Sequence, residues 1–250
     1  VPIWDGNVYI QCVVDAARTG LDVHSLRCGG HQSQLYMGLL ALTQVAFPGR
    51  IAAVVAMNLA LAAGALAAFA AVLRRLVPGE EFWIERALVV LVIAVHPLIA
   101  ATLLQVNTDF GVYVFFAMML AAVAWRRYAL CAATGVMLCF SKETGALIYG
   151  VALGLHMVFL AAENTGALRT RITGAIRAAA PAFAPLVLYA AFIGWWAVTQ
   201  TSYAIWNQGI QTRPLTGIRW FDFDDILFRS YAAIIFVLGF AWIPTAAIAA

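Results

Sequence analysis

The amino-acid sequence predicts an all-α fold, a polytopic transmembrane helical bundle of about six or seven spans. Of its 250 residues, 64% are hydrophobic and only 11% are charged, whereas a soluble domain is typically about one quarter charged. The mean hydropathy is +0.89. Several windows also reach the length of about 20 apolar residues that a helix needs to cross the hydrocarbon core. Because so few charges cannot cover a water-facing surface, a soluble globular domain is excluded.

The predicted spans are apolar windows separated by short polar breaks. They cover residues 51–73, 87–104, 110–125, 130–140 continuing past a polar break to 145–160, 178–199, and 231 onward. Segment 34–47 is apolar but short and ends at Pro48 and Gly49, so it is predicted to be a juxtamembrane or re-entrant helix. A short true span is the alternative and would invert the topology. Within the second span, His96-Pro97 predicts a helix kink rather than a ligand.

Arginine placement predicts the orientation, because short cytoplasmic loops hold positive charge. The arginines of three short loops fall on one side, namely Arg74, Arg75, Arg86, Arg126, Arg127, Arg169, Arg171 and Arg177. The other side then receives an outer loop at 1–34, the turn at Asn107, the break at 141–144 and a second outer loop at 200–229. Region 35–250 is the helical membrane region, and both chain ends are expected to continue into further sequence. Alanine-rich and arginine-rich composition with a single lysine predicts a bacterial inner membrane, with the outer face toward the periplasm.

Charge and cysteine content restrict the partners. The net charge is +3 and the basic residues are scattered, so no nucleic-acid partner is expected. The four cysteines are too few and too irregularly spaced for a metal site. Cys131 and Cys139 lie in an apolar helix and are predicted to be inert. Cys12 and Cys28 can form a disulfide if their segment faces an oxidising compartment.

Three polar clusters lie in or beside the predicted spans, where an ionisable group costs several kcal/mol unless it is paired, hydrated or used. The first comprises residues 4–9, an amphipathic stretch and residues 30–36; the second is 107–109; the third is 141–145, which carries the only lysine, Lys142. Each has a structural alternative. Asp5 and Asp109 can be helix N-caps, and Lys142 with Glu143 can be an interfacial ion pair that marks a turn.

Taken in order, these clusters resemble the multi-pass GT-C glycosyltransferases, in the branch of the protein mannosyltransferases and the lipid A aminoarabinose transferases. That branch opens with an outer loop bearing Asp-Glu and then a tyrosine; Asp5 and Tyr9 match, and Gly6 stands in place of the second acid. The family's His-Pro-Pro-Leu-like element has a counterpart without prolines at His31 to Tyr36.

Three further elements follow in the family order over about residues 1–160. They are Arg50 at the start of a long span, Thr108-Asp109 at an outer turn, and Ser141-Lys142-Glu143-Thr144-Gly145 after a glycine-containing helix. The resemblance implies a GT-C-like bundle with its active face to the periplasm. It also implies a polyprenyl-phosphate sugar donor and an acceptor lipid, glycan or protein.

Transfer of a sugar from a polyprenyl phosphate to a hydroxyl requires a carboxylate for the acceptor and a positive group or a metal for the phosphate. Asp5 and Asp109 are the predicted catalytic carboxylates, and they are also the predicted ligands if a divalent metal ion is the cofactor. Tyr9, His31, Lys142 and Glu143 are the predicted substrate-binding residues, with Lys142 at the phosphate. A transporter is the first alternative, although the sequence shows no repeat and its polar clusters lie at one face. A non-catalytic membrane scaffold is the second.

Overall fold

The computed structural model of the chain describes residues 5–22, 26, 33–104 and 106–199, and every regular element in those ranges is a helix. The α-helices are α1 (Asp5–Arg18), α2 (Gln34–Ala46), α3 (Ile51–Leu76), α4 (Trp83–Ala94), α5 (Pro97–Leu104), α6 (Thr108–Ala124), α7 (Tyr128–Cys139), α8 (Glu143–Glu163), α9 (Leu168–Ala178) and α10 (Ala184–Thr199). Short 3₁₀ helices lie at Glu80–Phe82 and Ala180–Phe183. The predicted all-α class is confirmed for these residues. The predicted outer loop 200–229 and the span from 231 lie outside them.

Among the residues that the structure describes, two helices are long and apolar enough to cross a membrane. They are α3, with 26 residues and a mean hydropathy of 2.1, and α8, with 21 residues and a mean hydropathy of 1.9. A third crossing is added if α9 and the helical segment after it form one broken span, bent by 76°. Helices α6 and α7 are apolar but shorter. Helices long and apolar enough to span a membrane are therefore present, as predicted, while the number of six or seven spans stays a prediction.

The α8 helix shows how the bundle divides its side chains between two environments. Its buried residues are Gly145, Tyr149, Leu153 and Leu160. Its large exposed hydrophobic residues are Leu147, Val151, Leu155, Val158 and Phe159. Within each set most residues recur at intervals of three or four, so each set follows one side of the helix. The buried side packs into the bundle, and the other is an apolar stripe of the kind that faces lipid.

Two predicted breaks are confirmed. The second predicted span is divided at Val95 and His96, after which Pro97 begins α5. Proline suits that first position because its missing N–H would have no helical partner there. The apolar run from 130 to 160 is likewise divided into α7 and α8, with Ser141 and Lys142 between them.

The short helix α2 has 13 residues, which span about 20 Å and are fewer than a crossing needs. The turn after it is held by one side chain, since Gln44 Nε2 donates to the Arg50 carbonyl at 3.0 Å and Gln44 Oε1 accepts from Gly49 N–H at 3.2 Å. Gly49 has a φ of 73°, a left-handed conformation that glycine adopts without strain.

Two ion pairs show how α6, α7 and α8 run. Lys142, just before α8, contacts Asp109 in the first turn of α6. Glu163, the last residue of α8, contacts Arg126 just after α6. Helices α6 and α8 therefore run parallel and α7 returns between them. Their 17 and 21 residues span about 25–32 Å, close to the hydrocarbon thickness of about 30 Å.

We call the two ends of this three-helix unit the polar end, at 107–109 and 141–143, and the arginine end, at 126–127 and 161–171. The arginine end carries two contacts besides the pair of Arg126 with Glu163. Arg171 Nε donates to the Ala161 carbonyl at 2.7 Å, and the Arg75 guanidinium lies 5.8 Å from the Trp125 ring centroid. Arginines of two predicted inner loops and of α9 thus lie at one end of the unit, and the membrane topology stays a prediction.

Candidate functional site

The polar end of α6 is built around Asn107. This residue is the N-cap, with an extended backbone, and its Oδ1 accepts the Asp109 backbone N–H at 2.9 Å. The alternative in which Asp109 caps this helix is therefore wrong. The Asn107 side chain accepts the backbone N–H of Asp109, as an N-cap residue does. The Asp109 carboxylate is therefore available for other contacts.

The carboxylate of Asp109 meets the only lysine of the chain. Lys142 Nζ donates to Asp109 Oδ1 at 2.6 Å, and the two side chains are 17% and 42% exposed. Lys142 is the N-cap residue of α8 and has an extended backbone, so its side chain leaves the helix axis and reaches α6. The contact joins residues 33 positions apart and brings the second and third polar clusters together.

The start of α2 joins the same end. Leu35 N–H donates to the Phe140 carbonyl at 3.2 Å, which ties the beginning of α2 to the end of α7. A Cβ built on Gly111 would lie 2.8 Å from Tyr36 Cγ and 3.2 Å from Ser141 Oγ. Only a glycine in α6 allows Tyr36 and Ser141 to approach this closely. Leu35 and Tyr36 therefore lie against Phe140 and Gly111, which adjoin the other two clusters.

Tyr36 begins a buried polar chain that runs toward α3 and α5. Its hydroxyl donates to Asn58 Oδ1 at 3.0 Å, and Asn58 Nδ2 donates to the Leu103 carbonyl at 3.2 Å. Burial raises the pKa of the Tyr36 phenol above its ordinary value, so the hydroxyl stays protonated and acts as the donor. Asn58 was not identified from the sequence as part of the site. The signal was present, because Asn58 is the one uncharged polar residue in the apolar run of α3 and polar residues at that depth are usually used.

The Thr108 hydroxyl lies beside Asp109 and is fully buried. Its Oγ1 has no hydrogen-bond partner among the residues that the structure describes. An unsatisfied buried hydroxyl costs about 1–3 kcal/mol. No contact among the described residues therefore offsets the cost of burying the Thr108 hydroxyl at this site.

The other predicted site residues take different places. Asp5 is the first residue of α1, and its side chain and all of His31 lie outside the described residues. Tyr9 is 5% exposed and belongs to the buried core; α1 packs on α2 there, so Tyr9 supports that packing. Glu143 begins α8 beside Lys142. The assigned roles of these four residues stay predictions.

A divalent metal ion does not suit Asp109 as it is placed here. The Lys142 ammonium already occupies one carboxylate oxygen and would repel a second cation. Within 5–22, 33–104 and 106–199, no three His, Cys, Asp or Glu side chains gather as metal ligands.

Cys12 in α1 is disulfide-bonded, while Cys131 and Cys139 are free and buried, as predicted for inert cysteines. Cys28 lies outside the described residues. A disulfide is typical of a segment in an oxidising compartment.

Comparison with known proteins identifies no relative of this chain. No protein-family model, curated protein or solved structure matches this chain.

Proposed function

We propose that this chain is part of an integral membrane glycosyltransferase that transfers a sugar from a polyprenyl-phosphate donor to an acceptor at the polar end of the bundle. The observation that carries the proposal is the contact between Lys142 Nζ and Asp109 Oδ1 at 2.6 Å. Lysine and aspartate come from two separate elements of the GT-C-like order, and the packing of Tyr36 against Gly111 adds a third.

The chemistry of the pair fits the proposed reaction. A lysine ammonium has three donors, of which one is given to Asp109, so two N–H groups remain for phosphate oxygens. The positive charge stabilises the phosphate as the sugar departs. Asp109 holds the ammonium in place, and Asp5, at the start of the helix packed on α2, is the proposed base for the acceptor hydroxyl.

The disulfide at Cys12 supports a periplasmic location for the polar end, because α1 packs on α2 and α2 begins at that end. The arginines at the other end support a cytoplasmic location there. A donor with its tail among apolar helices and its phosphate at headgroup level would meet Lys142 from the membrane.

The test is transfer by the chain in nanodiscs, supplied with radiolabelled polyprenyl-phosphate sugars. Lys142→Ala should lower donor use strongly, about 100-fold, whereas Lys142→Arg should retain part of the activity because the charge survives in a different geometry. Glu163→Gln, which breaks the ion pair at the arginine end, is the matched control and should transfer sugar like the unchanged chain.

If Lys142→Ala transfers sugar as fast as the unchanged chain, Lys142 has only a structural role in its ion pair. Sugar-independent flux of a solute, with no transfer from any polyprenyl-phosphate sugar, would favour a transporter.

A further inference from the structure

The amphipathic helix α9 takes no part in the proposed reaction. It joins α8 to the 3₁₀ turn at Ala180–Phe183 and makes an angle of 76° with the helical segment that follows. If that segment crosses the bilayer, α9 lies close to the membrane plane. Its position at the arginine end puts it on the face opposite the proposed active site.

Three sets of side chains divide the surface of α9. Arg171, whose Nε donates to the Ala161 carbonyl, and the buried Ala175 fix the helix against α8. Leu168, Ile172 and Ile176 recur every four residues and so share a second face, where they are 67%, 43% and 47% exposed. An apolar stripe this exposed requires an apolar neighbour.

That stripe borders an open apolar cleft of about 310 Å³. The cleft is lined by Met157 and Val158 of α8, by Ile172 and Ile176 of α9, and by Phe183. Its volume and lining suit a hydrocarbon chain, and its wall on α8 includes part of the lipid-facing side of that helix.

The third face of α9 is cationic. Arg169, Thr173 and Arg177 also recur every four residues, about 100° around the helix from the apolar stripe. Together with Thr170 and Gly174, they line a second cleft of about 290 Å³. Neither arginine has an ion pair in the part of the chain that the structure describes, and the preceding acidic residue, Glu163, contacts Arg126 instead.

We infer that α9 is an interfacial helix that binds one anionic phospholipid, with its headgroup phosphate between Arg169 and Arg177 and an acyl chain in the neighbouring apolar cleft. A phospholipid carries an anionic group and hydrocarbon chains in one molecule, and α9 presents a cationic cleft and an apolar cleft on adjoining faces. Arginine suits the role because its planar fork donates to phosphate oxygens in pairs.

The test is titration of the detergent-solubilised full chain with dioctanoyl phosphatidylglycerol, with bound lipid counted by native mass spectrometry. Arg169→Gln with Arg177→Gln should weaken binding about fivefold for each charge removed. Dioctanoyl phosphatidylcholine carries the same phosphate beside a choline cation that offsets its charge, so its binding should be weaker in the unchanged chain and should fall less in this variant. Arg127→Gln is the matched control, because it removes an exposed charge from the same end of the bundle without touching either cleft.

Two further variants separate the headgroup from the chain. Arg169→Lys with Arg177→Lys keeps the charges and should retain most phosphatidylglycerol binding. Ile172→Gln should weaken both lipids, since it alters the cleft proposed for the acyl chain. Thermal unfolding of each variant shows whether it is folded.

Three results would overturn the inference. Unchanged phosphatidylglycerol binding in the double glutamine variant would remove the arginines from the site. An equal loss in Arg127→Gln would show that only the general positive surface attracts the lipid. Competition by glycerol phosphate or inorganic phosphate as effective as that by the lipid would show a site for a free anion.

Discussion

At the scale of single residues, the ion pair of Lys142 with Asp109 is the feature that turns separate sequence clusters into one site. The pair adds little to the stability of the fold, because an ion pair with one partner 42% exposed typically contributes about 1 kcal/mol or less. Its importance is that it fixes the position of the Lys142 ammonium. The only lysine of the chain is held by a carboxylate from another helix, and two of its three N–H groups remain for other contacts.

Asp5 offers the sharpest separation of a structural role from a catalytic one. It is the first residue of α1, where a negative charge near the helix N-terminus contributes about 0.3–1 kcal/mol. Asp5→Asn should therefore change thermal stability little, because asparagine is equally suited to a helix start. Transfer turnover should fall about 100-fold to 10,000-fold if Asp5 is the base. Full turnover at normal stability would show that Asp5 only begins the helix.

Thr108 and Ser141 can be compared directly, since both carry a hydroxyl and both are fully buried at the polar end. Thr108 Oγ1 has no partner among the described residues, whereas Ser141 Oγ donates to the Met137 carbonyl at 2.6 Å. Thr108→Val should leave the free energy of unfolding unchanged or raise it by about 1 kcal/mol, and Ser141→Ala should lower it by about 1 kcal/mol. Chemical unfolding in detergent measures both. A loss in Thr108→Val as large as that in Ser141→Ala would mean that the Thr108 hydroxyl is satisfied after all.

At the scale of elements, the tight turn between α7 and α8 places Lys142. The two helices pack closely because Gly145 has no side chain, and a Cβ there would collide with the Leu138 carbonyl oxygen. Backbone cannot move aside as a flexible side chain can. The turn that positions Lys142 thus depends on a glycine three residues further along.

Two glycines in α8 test this point. Gly145→Ala should lower the free energy of unfolding by about 1–3 kcal/mol and should displace Lys142 from Asp109. Gly154→Ala, in the same helix with no atom within 4 Å of the added Cβ, should be neutral or stabilise by up to about 1 kcal/mol. Thermal unfolding in detergent compares the two variants. Equal stability of both would show that the α7–α8 turn relaxes around the new methyl group.

At the scale of the whole molecule, the parallel arrangement of α6 and α8 separates two chemically different ends. The polar end carries Asp109 and Lys142, and the arginine end carries Arg126, Glu163 and α9. The helical distance between them is about the thickness of a bilayer core. The two ends are therefore predicted to face opposite aqueous compartments.

Single introduced cysteines test this topology. Thr144→Cys lies at the polar end and Arg127→Cys at the arginine end, and both positions are exposed. In intact cells, a membrane-impermeant maleimide should label position 144, and it should label position 127 only after permeabilisation. The unchanged chain gives the background from its native cysteines, of which Cys131 and Cys139 are buried. Labelling of both positions without permeabilisation would contradict the predicted topology.

The sequence by itself determined the helical fold of the described residues, the presence of helices long and apolar enough to span a membrane, the kink at His96-Pro97 and the break at Ser141 and Lys142. These features follow from composition, helix length and proline chemistry, which are local properties of the chain. Only the tertiary structure decided that Lys142 pairs with Asp109, that Asn107 rather than Asp109 caps α6, and that Tyr36 reaches Asn58. The reason is physical: helix packing brings together side chains that are far apart in the chain, and apolar periodicity carries no record of which polar groups will meet.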